Sequence, residues 1–217
     1  MKKETYIPAL RYHWLTPFFD LVLRWTMPEK KFKTALLKQA NIKDNMTVLD
    51  FGCGSLTLSL MAKKTSPNAN FTGVDVDEKI ISIAKKKLEK SNHQIKIAQY
   101  DGTILPYPDA HFDCVISSLV FHHLTKNQKE NSLRELKRVL KPAGELHIAD
   151  WGKAENIFMR TLFLSVQLLD GFETTNDNVR GLFPDFISNA GFSSVKETKK
   201  ISTSFGTLSL YCASSEK

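Results

Sequence analysis

From Thr47 onward, short apolar runs alternate with stretches whose apolar residues recur at helical spacing. Val48-Leu49-Asp50-Phe51 predicts a first strand ending at Gly52, and Leu56–Lys64 predicts the helix after it. Phe71–Val74 predicts a second strand. In Glu78–Lys90 the residues Ile80, Ile81, Ile83, Ala84 and Leu88 lie at the spacing of a helix. Ile95–Tyr100, Phe112–Ser117 and Glu145–Ala149 predict three further strands. Between them lie a proline-bearing loop, Thr103–Ala110, and a helix, Asn127–Leu140, that Pro142 and Gly144 close. Such β–α alternation predicts a mostly parallel sheet with helices on both faces.

The pattern changes near the C-terminus. Ser193–Ser202 and Thr207–Ala213 alternate polar and apolar residues across Phe205-Gly206, with no helix between them, which predicts an antiparallel hairpin on the sheet edge. The expected fold is therefore α/β, a Rossmann-like seven-stranded mixed sheet. Upstream, Thr16–Thr26 and Glu29–Ala40 read as two helices divided at Pro28. Residues 1–46 read as an N-terminal helical arm and 47–217 as the main domain, the two forming one structural unit.

Composition narrows the class without naming a partner. With 217 residues, 42% hydrophobic and 24% charged, the chain matches an ordinary globular domain rather than a disordered, collagenous or coiled-coil protein. Thirty Lys+Arg against 23 Asp+Glu give a charge of +7, which suits nucleic acid or an acidic membrane surface. The main clusters, Lys85-Lys86-Lys87 with Lys90 and Lys196 with Lys199-Lys200, alternate with apolar residues as solvated faces do. Cys53, Cys114 and Cys212 form no paired spacing, and no H-E-x-x-H is present, so neither a disulfide framework nor a metal site is expected. Unpaired cysteines suit a reducing compartment, here the cytoplasm. No secretory signal is visible at the start, and Trp14–Trp25 and Ile157–Leu169 are too short and too interrupted to span a bilayer. Peripheral membrane contact stays open, and the sequence leaves the oligomeric state undetermined.

The most informative stretch is Val48-Leu49-Asp50-Phe51-Gly52-Cys53-Gly54-Ser55, a strand running into a glycine turn and a helix. Glycines let backbone approach a ligand, and the N–H groups of a helix start favour an anionic group. Thr57 stands where G-x-G-x-x-G requires its last glycine, which weakens a nicotinamide-dependent oxidoreductase as the alternative. Asp75 ends the second predicted strand, where an acid accepts from ribose hydroxyls, and Asp101 ends the third beside Gly102.

With Gly73-Val74-Asp75-Val76-Asp77, Asp101-Gly102, Leu105-Pro106-Tyr107-Pro108-Asp109, Phe112–Ser117 and Leu140–Leu146 in this order, the chain resembles class I S-adenosylmethionine-dependent methyltransferases from Thr47 to Ala213. The nearest subgroup is the small-molecule type that includes quinone-biosynthesis C-methyltransferases. The resemblance implies S-adenosyl-L-methionine as cofactor and a small, hydrophobic acceptor. It places Gly52 and Gly54 at the methionine end, Asp75 at the ribose, Asp101 and Gly102 at the adenine, and Ser117 and Ser118 beside the sulfonium, and it counts Asp50, Cys53 and Val76 among the cofactor-binding residues. It also implies an N-terminal lid over the cofactor, bringing in Tyr12 with Tyr6, His13 and Trp14; aromatic packing on the sheet is the alternative. Leu56 replaces the family's usual third glycine and either narrows the pocket or enters the helix–sheet core.

His122, in Phe121-His122-His123-Leu124 after the fourth strand, is the candidate catalytic base, the alternative being a brace for the following helix. The segment after the fifth strand, Ile157–Glu173, would carry acceptor recognition, or else pack as an amphipathic helix. Nucleic acid is disfavoured as a substrate, because Ser117-Ser118-Leu119-Val120 stands where amino-methylating nucleic-acid enzymes carry an Asn-Pro-Pro-Tyr-type sequence. A non-catalytic module docking on anionic surfaces through its lysines is the remaining alternative.

Overall fold

The computed structural model describes residues 28–215. A first helix, α1 (Glu29–Ala40), precedes β1 (Thr47–Phe51), α2 (Thr57–Thr65), β2 (Asn70–Asp75), α3 (Glu78–Glu89), β3 (Lys96–Gln99) and β4 (Phe112–Ser118). A single 3-10 turn, Phe121–His123, leads to α4 (Lys126–Val139) and β5 (Leu140–Trp151). Three helices follow, α5 (Ile157–Asp170), α6 (Phe172–Arg180) and α7 (Phe183–Asn189), then β6 (Ser193–Thr203) and β7 (Gly206–Ser214).

The strands form one seven-stranded sheet in the order β3-β2-β1-β4-β5-β7-β6. Neighbours from β3 to β5 run parallel, while β7 is antiparallel to both β5 and β6, as the hairpin pattern predicts. The chain winds outward from β1 in one direction and from β4 in the other. The crevice past the ends of β1 and β4 is thus the switch point where ligands bind in such sheets.

Alternation along each strand fills both faces. On one face Val48, Phe71, Cys114 and Ile116 pack with Phe32, Leu36 and Ala40 of α1 and with Leu58 and Ala62 of α2. On the other, Leu49, Val74, Phe112 and Val115 pack with Leu133 and Leu136 of α4 and with Phe183 and Ile187 of α7.

Two expectations change. The first concerns the arm: α1 is a core helix, its Phe32 and Leu36 wholly buried, and Gln39 donates to the carbonyl of Tyr211 on β7 at 2.8 Å. The described part of residues 1–46 therefore belongs to the sheet's packing. Tyr6, Tyr12, His13, Trp14 and Thr16–Thr26 lie outside the described residues. The second concerns β5, which begins at Leu140, so Pro142 and Gly144 fall within the strand rather than in a gap between helix and strand. Pro142 and Gly144 can sit there because the β4–β5 pairing shifts register between Phe112 and Cys114.

Candidate active site

The glycine turn after β1 is built from backbone. Gly52 and Gly54 both have positive φ, 66° and 51°, which glycine adopts without a Cβ penalty. A Cβ on Gly52 would come within 2.4 Å of Val120, so this glycine lets the β4 loop close over β1. A Cβ on Gly54 would meet nothing within 4 Å, so the space over this residue is open to a ligand. Gly54 N–H donates to Asp75 Oδ2 at 2.9 Å, and Asp77 N–H donates to Oδ1 at 3.1 Å. Asp75 is thereby fixed beside the turn, its side chain half-buried. Val76 follows it, half-buried, and packs 3.5 Å from where a Gly102 Cβ would stand.

Leu56 resolves into the core. It is wholly buried and caps α2 in the left-handed conformation, φ 66°, which is the backbone a glycine would favour. Its side chain lies over β2, where Cβ on Gly73 would meet Leu56 Cδ1 and Cys53 Sγ at 2.9 Å each. A bare glycine in β2 makes room for the leucine that replaces one in the turn. The left-handed conformation costs about 1 kcal/mol, and burying the side chain more than offsets it.

Several residues placed at the cofactor by resemblance are engaged with partners inside the protein. Asp50 is only 1% exposed and accepts from Ser59 Oγ at 2.5 Å beneath α2; burial pushes its carboxyl up to about 6 despite that bond. It cannot present a carboxylate to the crevice. Cys53 is buried against Gly73, its backbone N–H committed to Val74 O, and burial pushes its thiol far above the usual range. Ser117 is wholly buried and donates to Phe51 O at 2.9 Å, tying β4 to β1. Ser118 differs: its hydroxyl is buried with no hydrogen-bond partner at the crevice end of β4. An orphan hydroxyl there fits a ligand that would complete it. Asp101 is exposed, and its Oδ1 accepts from Thr103 N, Thr103 Oγ1 and Ile104 N, bonds that hold the carboxyl below its usual range. The loop that follows is clamped by Arg138, which donates to the carbonyls of Leu105 and Tyr107 and to Asp109.

At the far side of the crevice the wall is built from side chains. Asp150, wholly buried at the end of β5, accepts from Val120 N, Phe121 N and Trp151 N, and from His122 Nδ1 at 2.7 Å. It pins the 3-10 turn to the strand rather than lining a pocket. Burial would raise its pKa, but His122 and the Trp151 N–H hold it below the usual carboxylate range. His122 is 4% exposed; burial opposes its charge, yet Asp150 and Asp170 raise it above the ordinary histidine value. Its second nitrogen, Nε2, faces Asp170 Oδ2 at 3.6 Å. With both nitrogens facing carboxylates, His122 does not fit the role of a free base, and the bracing alternative describes it better. His123 stacks on it at 3.9 Å between ring centres, and burial together with that neighbour holds it down to about 3.

Asp170 lies in the segment expected to carry acceptor recognition, but the sequence does not single it out. The available signal was an acid at the C-terminal end of a helix, where the helix dipole disfavours negative charge unless a cationic group compensates. Lys129, another buried group, donates to Thr174 O, Asp177 and Asn178 and anchors α6 to α4.

Residues 48–144 match the family model described as a methyltransferase domain. The demethylmenaquinone methyltransferase of Thermus thermophilus is 29% identical over 139 residues, 63% of this chain and 62% of that protein. Its namesake from Lactobacillus johnsonii is 32% identical over 130 residues, 58% and 51% of the two chains. The matched stretch thus spans about half to three fifths of these relatives. Among solved structures, an S-adenosylmethionine-dependent methyltransferase from Aquifex aeolicus aligns with TM-score 0.61 at 24% identity over 88% of this chain and 91% of that one. A [4+2]-cyclase aligns with TM-score 0.67 at 16% identity over 86% and 80%. The fold is shared; it does not by itself fix the reaction.

Proposed function

We propose that the protein transfers a methyl group from S-adenosyl-L-methionine to a small hydrophobic acceptor of the quinone type. The observation that carries this reading is the open space over Gly54 beside the held carboxylate of Asp75. The orphan hydroxyl of Ser118 supports it. Gly54 would lie against the methionine portion, and Asp75 would hold the ribose hydroxyls. When bound, the cofactor supplies a methyl group on a leaving group that is already activated. The protein's own residues then have to position the acceptor and exclude water.

The relatives named as demethylmenaquinone methyltransferases support a quinone-type acceptor. So does the apolar surface of α5 and the start of α6, where Ile157, Phe158, Leu164, Leu168 and Phe172 are exposed. No helix among the described residues is long and apolar enough to cross a membrane, so contact with a lipid-borne acceptor would be peripheral.

Titration calorimetry with S-adenosylhomocysteine should show saturable binding to the full chain, reduced at least a hundredfold by Asp75→Ala. Incubation with a demethylmenaquinone and the cofactor should give a product heavier by one CH₂. Binding of NAD but not of S-adenosylhomocysteine would overturn the reading in favour of an oxidoreductase.

A further inference from the structure

We propose that His122, His123 and Asp170 form a binding site for one divalent transition metal ion, with Asp150 orienting His122 from behind. Each residue offers one ligand atom, and the three atoms lie within 4.8 Å of one another. His122 Nε2 is 3.6 Å and His123 Nδ1 3.9 Å from the Asp170 carboxylate. Donors held tetrahedrally at about 2.1 Å from zinc stand about 3.4 Å apart. The two measured pairs, one to each carboxylate oxygen, need to close by only a few tenths of an ångström, and the widest separation within the cluster, at most 4.8 Å, by up to about 1.4 Å. An imidazole pair with a carboxylate is a donor set that zinc, cobalt or iron(II) accepts.

The surroundings are those of a ligand set rather than a chance cluster. His122 Nδ1–H donates to Asp150, which fixes the ring and aims Nε2 at Asp170, the arrangement in which a carboxylate orients a metal-binding histidine. Asp150 is itself held by three backbone N–H groups, so the turn carrying both histidines is rigid. Two carboxylates, Asp150 wholly buried and Asp170 11% exposed, flank His122 near the C-terminal end of α5, whose dipole adds to their negative charge. A dication would balance that charge. Three protein ligands leave a position open for water. If the methyltransferase reading holds, that position would equally take a hydroxyl oxygen of the acceptor.

The test reads metal rather than methyl transfer, so it stands apart from the proposed activity. The full chain, stripped with a chelator, is titrated with Zn²⁺ by calorimetry and with Co²⁺ by visible absorption. Binding of one equivalent with cobalt bands of a low-coordinate nitrogen–oxygen site is expected. His123→Ala and Asp170→Asn should each weaken binding at least tenfold, while His111→Ala, an exposed histidine outside the cluster, should bind as the parent does. His123 is 29% exposed, so its truncation is the variant expected to leave the fold intact, checked by circular dichroism. No saturable binding would overturn the proposal, leaving the cluster as a proton-bridged network. Binding that His123→Ala and Asp170→Asn leave unchanged would overturn it as well.

Discussion

The two walls of the crevice are made by opposite means. On the β1 side the site is backbone, with glycines in left-handed conformations, a wholly buried leucine holding the same conformation, and open space at Gly54. On the β5 side it is side chain, with Asp150, His122, His123 and Asp170 packed into one polar cluster. A backbone wall tolerates strain because each residue costs little. A buried polar wall has no such latitude, because removing one partner leaves another desolvated and unpaired.

Asp150→Ala should be the harshest break in this contrast, lowering stability by about 3–5 kcal/mol in urea unfolding by orphaning three N–H donors and His122. An effect under about 1 kcal/mol would show that the side-chain wall is no more demanding than the other. On the backbone wall, Leu56→Ala should cost about 3 kcal/mol through the emptied core site over Gly73. Leu56→Gly should be the more stable of the two by about 1 kcal/mol, since glycine relieves the left-handed strain. The reverse order, usual at helical positions, would mean the backbone conformation is not what the turn demands.

Asp50 sharpens the comparison through pH. Its folded pKa of about 6 exceeds the ordinary 3.8 because burial disfavours the carboxylate. Its contribution to stability is therefore full below pH 3.8 and is lost as pH rises through 6. Asp50→Asn should be more stable than the parent at pH 8 by about 3 kcal/mol, with the gap closing toward pH 4. Paired unfolding curves at the two pH values check this; equal stability at both would mean that Asp50 is not desolvated. The smallest change in stability is expected for Gly54→Ala, about 1 kcal/mol from φ alone, with S-adenosylhomocysteine affinity nonetheless falling more than tenfold. Gly52→Ala should destabilise more, because its new Cβ meets Val120 as well.

The elements from β1 to β4 and the C-terminal hairpin were legible because each is a local apolar period bounded by turn residues. The helices α6 and α7 were not: Phe172–Arg180 is stitched to the body by the buried Lys129 rather than by an apolar stripe, and Phe183–Asn189 is too short for its buried Phe183, Phe186 and Ile187 to mark a helical period. Among the candidate residues, Gly52 and Gly54 stand out in the sequence as the turn between strand and helix, and Asp75, 21 residues after Gly54, comes beside them because β2 pairs with β1. Cys53 and Ser117 lie in the same motifs, yet they turn inward, and nothing in a motif states which way a side chain packs.

The sequence by itself determined the β–α order and the glycine turn, because each is a local pattern, and the β–α alternation placed Asp75 at the end of the second strand. Only the tertiary structure decided that Asp50 lies under α2 while Asp75 stays at the crevice, and that residues 122, 123, 150 and 170 meet. The physical reason is that burial and pairing depend on what packs across the sheet. A carboxylate's solvation and charge are set by neighbours distant in the chain.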